Sequence, residues 1–169
     1  MRKERDKQLT IDTHHHILPD FFWRETNEAH DPVGGLAPMQ WSKEAMISFM
    51  DDAGIDVAVM SVSTPGVHLG VGEKARSLAR RCNEFAAELV HTRPDRFATF
   101  ACIPLPDIDA SLEELSYALD VLRLNAKQRI LDSFELNHLE KHAVLGVNAA
   151  RLFPRLHSLV QSLFKDSKP

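Results

Sequence analysis

Residues 55–63 read IDVAVMSVS, a nearly continuous apolar run with the length of one β-strand. Such a run is typical of a strand that flanking helices bury on both faces. A helix is predicted just before it, from the N-cap Ser42 through Ala53, because apolar residues recur at positions i, i+3 and i+4 and Gly54 can end it. The run is therefore predicted to be a buried strand that follows a helix.

The segments on either side extend this alternation. Residues 9–16, LTIDTHHH, predict a first strand with a polar end, and residues 73–92 predict a long amphipathic helix. Residues 97–103 predict a third strand, and Asp109 is the predicted N-cap of a helix over residues 110–124. Strands and helices that alternate in this way indicate βα units winding a parallel sheet, so the predicted fold class is α/β.

Two stretches break the alternation. Residues 17–41 are predicted to form an irregular, structured loop, because proline and glycine recur there among large aromatic residues. After Leu124 the sequence offers helical segments but no fourth buried strand. The predicted organisation is a charged lead-in over residues 1–8, βα units over residues 9–124, and C-terminal helices of the same domain over residues 125–169.

Composition and charge exclude several classes of function. The 169 residues are 44% hydrophobic and 26% charged, and 20 Lys and Arg against 24 Asp and Glu give a formal net charge of −4. No basic stripe is interleaved with aromatic residues, so nucleic acid is not an expected partner. No run approaches the roughly eighteen apolar residues of a membrane span, the N-terminal residues lack the apolar core of a signal peptide, and Cys82 and Cys102 lack metal-site spacing. We therefore expect a cytoplasmic protein with reduced thiols and no membrane partner.

Three adjacent histidines at the end of the first predicted strand are the residues best suited to chemistry. Side chains alternate along a strand, so His14 and His16 are expected on one face with Asp12 further back, while His15 points away. Neutral imidazole nitrogens suit zinc and other transition ions, and Asp12 could orient one of the rings. The alternative is three solvated residues at a strand end. Their place at the carboxyl end of a strand in a βα series favours a metal site, because barrel enzymes hold their catalytic groups there.

The sequence around these histidines resembles a known family. The matching segments are IDTHHHILPDFF at residues 11–22, residues 41–67, residues 75–122, and VNAARLFPRL at residues 147–156. Together they resemble the metal-dependent amidohydrolase superfamily, in the branch of aminocarboxymuconate semialdehyde decarboxylase and the 6-methylsalicylate decarboxylases. That resemblance implies a (β/α)8 TIM barrel with a divalent ion, most often zinc, and it carries the first two metal ligands onto His14 and His16.

The resemblance also implies a reaction. In the family, the ion anchors the hydroxyl or carboxylate of a small carboxylated aromatic acid such as 6-methylsalicylate, an aspartate protonates the carbon that bears the carboxylate, and carbon dioxide leaves. In hydrolytic relatives the same ion activates a water molecule instead. The implied activity is therefore that of a carbon–carbon lyase, a decarboxylase, with a hydrolase as the alternative.

The family pattern is incomplete in this chain. Members take another histidine from a middle strand and a catalytic, metal-binding aspartate from a GSD- or GTD-type segment, and neither segment occurs here. A complete barrel takes about 250 residues, so we expect a partial barrel of about three βα units, with the central segment missing after Leu124 and turnover weak or absent. The alternatives are a metal-binding product without catalysis and a non-catalytic partial barrel that self-associates through its open sheet edge.

Two short stretches are candidates for a substrate pocket. One is aromatic and follows the first strand, and the other is a turn after the second strand, where the substrate loops of a barrel lie. Ordinary core packing and an ordinary turn explain them as well. The candidate pocket residues are Phe22, Trp23, Thr64, Pro65 and Gly66.

A second pair of histidines has metal-ligand spacing. His138 and His142 stand at i and i+4, so on a helix they would share one face and could replace missing ligands. Histidines near a helix end commonly lie on the surface and interact favourably with the helix dipole. We prefer that interpretation of the pair.

Overall fold

This computed structural model describes residues 10–27, 40–68 and 72–124, which form three parallel strands and four α-helices. The strands form one sheet in the order β1-β2-β3. The predicted α/β class with a parallel sheet is confirmed. The elements, in chain order, are β1 (Ile11–Ile17), α1 (Asp20–Asn27), α2 (Lys43–Ala53), β2 (Val57–Val62), α3 (Glu73–Thr92), β3 (Phe97–Thr99) and α4 (Ile108–Ser116), which continues into a π-helical turn (Tyr117–Val121).

The strand register brings the carboxyl ends of the three strands to one edge of the sheet. His16 of β1 pairs with Ser61 of β2, and Met60 of β2 pairs with Thr99 of β3. The first four residues of β2 are buried, as expected for a central strand that helices cover on both faces. The last residues of all three strands therefore lie next to one another, and the loops that follow them leave from the same edge.

Helix α2 begins and ends at the residues that the sequence predicts. The Ser42 hydroxyl accepts a hydrogen bond from the Ala45 N–H at 3.0 Å, and Gly54 ends the helix with a φ of 68°. That left-handed φ is favourable for glycine, which has no Cβ. The helix buries Met46 and Met50 against the sheet. The predicted bounds of α3, residues 73–92, are confirmed as well.

Two clusters of buried side chains form most of the core. One joins the sheet to α2 and the second half of α3, and the other joins α1 to the first half of α3. The first cluster comprises Ile17, Met46, Met50, Ala58, Met60, Ala86, Leu89, Val90 and Phe97. The second comprises Leu18, Phe22, Val67, Leu78, Ala79 and Cys82. Helix α3 contributes to both clusters and is therefore the main support of the sheet.

One helix was not expected from the sequence. Residues 17–41 are predicted to be irregular, yet the structure forms α1 within them. The prolines and glycines that suggested a loop flank this helix and do not interrupt it. Pro19 precedes it, and the Pro19 carbonyl accepts the first helical hydrogen bonds, from Phe22 and Trp23 at 2.9 and 3.2 Å. The Thr26 hydroxyl donates to the Phe22 carbonyl at 2.8 Å within the same helix.

The third βα unit also differs from its prediction. The predicted third strand over residues 97–103 ends already at Thr99, because the backbone of Cys102 binds the side chain of Asn83 on α3 instead of a neighbouring strand. The predicted N-cap Asp109 lies inside α4, and the carboxylate of Asp107 caps the helix by accepting the Ala110 N–H at 3.1 Å.

The predictions for the rest of the chain lie outside the described residues. They include the C-terminal helices over residues 125–169 and the pair His138 and His142. Backbone contacts divide the chain into two units, residues 1–126 and 127–169, and all described residues belong to the first. In the described part, no helix combines the length and apolar character that crossing a membrane requires.

Candidate metal site

The rings of His14 and His16 meet at the carboxyl end of β1. Their Nε2 atoms lie 3.1 Å apart, and the ring planes are nearly perpendicular at 88°. Two nitrogens that each lie about 2.0 to 2.1 Å from one zinc ion are separated by about 3 Å, so this pair fits a shared divalent ion. Both side chains are exposed at the sheet edge, where an ion can reach them. Among the described residues, no group of three or more His, Cys, Asp or Glu side chains is placed to hold an ion.

A β-bulge in β1 determines where these rings point. The register with β2 shifts between Asp12 and His15, with three residue steps on β1 opposite two on β2. Asp12 stabilises the bulge: its carboxylate accepts the His14 backbone N–H at 3.0 Å and lies 2.9 Å from Nδ1 of His15. The extra residue interrupts the simple alternation of the strand, as bulges near functional sites commonly do.

Asp12 therefore contacts the third histidine and neither of the two facing rings. Its carboxyl is partly buried, which by itself raises its pKa. Hydrogen bonds from the His15 ring and the His14 backbone N–H, with the charges of both histidines, outweigh burial and hold the pKa of Asp12 below its ordinary value. The predicted role of Asp12, orienting a metal-binding ring, stays a prediction. By accepting the His14 backbone N–H, Asp12 fixes the backbone position from which the His14 ring projects.

Ser61 contacts one of the facing rings, although the sequence does not single it out. Its Oγ lies 3.1 Å from Nδ1 of His16, on the side of the ring opposite the Nε2 atom that faces His14. The available signal was a single hydroxyl in the apolar run VAVMSV of β2. Sequence alone could not reveal the contact, because it depends on the register that pairs His16 with Ser61.

The aromatic pocket candidates lie in or against the core. Phe22 is 0% exposed and belongs to the cluster between α1 and α3, together with Leu18 and Leu78. Trp23 packs against the same cluster and is partly buried. Its indole N–H is buried without a hydrogen-bond partner among the described residues, an arrangement that is uncommon for a buried donor.

The second pocket candidate is a turn at the carboxyl end of β2. Thr64 is exposed, and Pro65 and Gly66 are half-buried. The Gly66 N–H donates to the Ser63 carbonyl at 3.0 Å, and Gly66 has a φ of 75°. The turn leaves the same sheet edge as the two facing histidines, and its role in a pocket stays a prediction.

Comparison with known proteins identifies the family. Residues 11–127 match the protein family described as Amidohydrolase. This chain belongs to the amidohydrolase family. The match begins at the first residue of β1 and ends shortly after the last described residue, so it covers the three βα units and the histidine pair. The predicted family is confirmed.

Similar amidohydrolases include decarboxylases. The 6-methylsalicylic acid decarboxylase acuB of Aspergillus aculeatus is 37% identical over 118 residues, which are 68% of this chain and 35% of that protein. A crystal structure of an amidohydrolase II superposes with a TM-score of 0.63 and 27% identity, over 67% of this chain and 37% of the other.

A third relative contains a metal ion. It is a crystal structure of a dihydroxybenzoic acid decarboxylase from Polaromonas sp. JS666 with bound manganese and the inhibitor 2-nitroresorcinol. It superposes with a TM-score of 0.52 and 25% identity, over 69% of this chain and 36% of the other. The chain thus spans about a third of the length of these relatives, and its described fold is that of a partial TIM barrel.

Proposed function

We propose that this chain carries part of the metal centre of a decarboxylase acting on a small carboxylated aromatic acid, with His14 and His16 as two of the metal ligands. The observation that supports it is the 3.1 Å approach of their Nε2 atoms at the carboxyl end of β1. Active sites of TIM barrels lie at that end of the strands. The similar proteins named above act on 6-methylsalicylic and dihydroxybenzoic acids, which makes an aromatic carboxylate the proposed substrate.

The proposed reaction replaces a carboxylate with a proton on the same carbon. The carbon–carbon bond breaks, its electron pair stays on the ring carbon and takes up the proton, and carbon dioxide leaves. A bound divalent ion polarises the substrate oxygens and stabilises their negative charge. Within the chain, His14 and His16 present their Nε2 atoms to the ion, and Asp12 fixes the bulge that aims them. We assign no proton donor among the described residues.

The metal itself belongs to the proposal. Zinc is the ion expected from the sequence, and manganese is the ion in the Polaromonas relative, so both are tested. Two imidazoles leave either ion short of the three or four protein ligands of a stable site. We therefore expect weak or absent turnover from the 169-residue chain, and measurable metal uptake that depends on both histidines.

The test measures metal uptake and carbon dioxide release with the same purified protein. Variants His14→Ala and His16→Ala are compared with His91→Ala, which removes an exposed histidine at the end of α3. We expect Mn²⁺ and Zn²⁺ uptake to fall at least tenfold in the first two variants and to stay unchanged in the third. Uptake that survives His14→Ala would contradict the proposal. Tight binding of one zinc ion per chain, together with steady release of carbon dioxide from 6-methylsalicylate, would instead overturn the expected low turnover.

A metal-binding role without catalysis is the second candidate. It is favoured by the fact that the described residues place only two ligands together. Metal uptake abolished by His14→Ala, with no carbon dioxide released from 6-methylsalicylate or a dihydroxybenzoate, would support it. A self-associating, non-catalytic partial barrel stays a further prediction, and size-exclusion chromatography tests it directly.

The cytoplasmic location is likewise proposed. Cys82 and Cys102 both carry free thiols. Burial raises the pKa of the Cys102 thiol to about 11 and raises that of Cys82 further. Unpaired cysteines are typical of proteins in reducing compartments, which supports the proposal.

A further inference from the structure

The contact between His16 and Ser61 constrains the protonation of two rings. One proton at most lies between the facing Nε2 atoms of His14 and His16, because two N–H groups would repel each other at 3.1 Å. In a neutral imidazole, a proton on Nδ1 leaves the lone pair on Nε2, and the reverse also holds. A serine hydroxyl can accept a hydrogen bond from Nδ1 or donate one to it, so the direction of the contact with Ser61 decides which nitrogen of His16 is free to bind a metal.

We propose that Ser61 is a positioning residue for the metal site: its Oγ accepts the Nδ1–H of His16 and so holds the Nε2 lone pair of that ring toward the ion. This inference rests on the proposed function, since it assumes an ion between the two histidines. Metal-binding histidines generally donate their other ring N–H to an oxygen acceptor, which fixes the tautomer and the ring orientation.

The position of Ser61 makes this contact specific. Ser61 lies directly across from His16 in the parallel register, on the central strand of the described sheet. It follows four buried apolar residues of β2 and is itself half-buried. Strand pairing fixes the Ser61 backbone, so its hydroxyl can leave the His16 ring only by rotation of the short side chain.

The two histidines should then respond differently to a metal ion. In the metal-free chain, His16 has its proton on Nδ1, and His14 donates its Nε2–H to the lone pair of His16. When an ion enters, His16 keeps its tautomer. His14 must move its proton to Nδ1, and because its side chain is exposed, water can serve as the new acceptor. Ser61 thus prepares one ligand in advance, and the other adapts on binding.

The experiment reads the tautomers directly. Nitrogen-15 NMR of histidine-labelled protein is recorded near pH 8 without metal and with Zn²⁺ as a diamagnetic ion, and Mn²⁺ affinity is measured by electron paramagnetic resonance. The variants are Ser61→Ala, Ser61→Thr, which keeps a hydroxyl on a residue suited to strands, and Ser63→Ala, a matched control just beyond β2. Circular dichroism verifies that each variant folds.

We expect His16 to carry its proton on Nδ1 in the wild type and to lose that preference in Ser61→Ala. Mn²⁺ affinity should fall about 10- to 100-fold in Ser61→Ala, recover in Ser61→Thr and stay unchanged in Ser63→Ala. A wild-type His16 protonated on Nε2, or a Ser61→Ala variant with unchanged tautomer and affinity, overturns the inference. A wild type that binds no Mn²⁺ overturns the proposed function, and the metal-free tautomer still decides whether Ser61 holds His16.

Discussion

Asn83 of α3 binds both backbone polar atoms of Cys102. Its Oδ1 accepts the Cys102 N–H at 2.7 Å, and its Nδ2 donates to the Cys102 carbonyl at 2.8 Å. The same Nδ2 donates to Oε1 of the buried Glu114 on α4, also at 2.8 Å. Asn83 is 1% exposed. Where β3 ends, the Asn83 amide therefore supplies the backbone hydrogen bonds that a neighbouring strand would otherwise make. It also joins the segment around Cys102 to α3 and α4.

Replacing this amide should destabilise the fold strongly. In Asn83→Ala, the Cys102 backbone and the Glu114 carboxylate lose partners while they remain shielded from water, and each buried unsatisfied group costs about 1 to 3 kcal/mol. We expect the free energy of unfolding, measured by urea denaturation, to fall by about 3 kcal/mol. The control Glu88→Ala, at an exposed position of the same helix, should change it by less than about 0.5 kcal/mol. Equal effects of the two variants would contradict the role of Asn83.

The N-cap of α2 allows a second test. The Ser42 hydroxyl satisfies the Ala45 N–H at the start of the helix. Ser42→Ala leaves that donor without its side-chain partner, which lowers the free energy of unfolding by about 1 kcal/mol. Ser42→Asn keeps a capping oxygen and should stay within about 0.5 kcal/mol of the wild type. A stable Ser42→Ala variant would show that the cap does not stabilise α2.

The cap of α4 should make stability depend on pH. The Arg76 guanidinium donates to the Asp107 carboxylate at 2.6 and 3.1 Å. This contact and the Ala110 N–H hold the pKa of Asp107 below its ordinary value of 3.8. A carboxyl with a lowered folded-state pKa stabilises the fold fully above its unfolded-state pKa, and this stabilisation is lost as the pH falls through the folded-state pKa.

The variant Asp107→Asn keeps a capping side chain but removes the charge. We expect its Tm to lie below that of the wild type near about pH 6, and the difference to shrink as the pH falls through the lowered folded-state pKa of Asp107, where the wild-type carboxyl also becomes neutral. Asp109→Asn, at an exposed position in the first turn of α4, is the matched control. A Tm difference that persists unchanged at low pH would show that the charge of Asp107 has no part in it.

The elements with strong periodicity and clear caps were predictable from the sequence. Helix α2 has Ser42 and Gly54 at its ends, and α3 has a long apolar stripe, so both occur at their predicted bounds. The predicted run of β2 was also found, because a buried central strand needs a continuous apolar sequence. In each case local residues determine the structure.

The rest depends on contacts between segments that are distant in sequence. The end of β3 is determined by Asn83, which lies 19 residues from Cys102. No local pattern in residues 97–103 predicts that the strand ends at Thr99. The spacing of His14 and His16 indicated a shared face, but the β-bulge at Asp12 and the contact with Ser61 both depend on the register with β2. Sequence could therefore nominate the two proposed ligands, but it could not reveal that Ser61 contacts one of them.

Phe22 distinguishes the two interpretations of the aromatic stretch after β1. As a fully buried residue of the cluster between α1 and α3, it should behave as a core residue. Phe22→Ala then lowers the free energy of unfolding by about 3 to 5 kcal/mol through lost burial and the cavity that remains. Phe49→Ala removes the same ring from α2, where it is 59% exposed, and should cost less than about 1 kcal/mol. Urea denaturation compares the two, and a Phe22→Ala variant as stable as Phe49→Ala would favour the pocket.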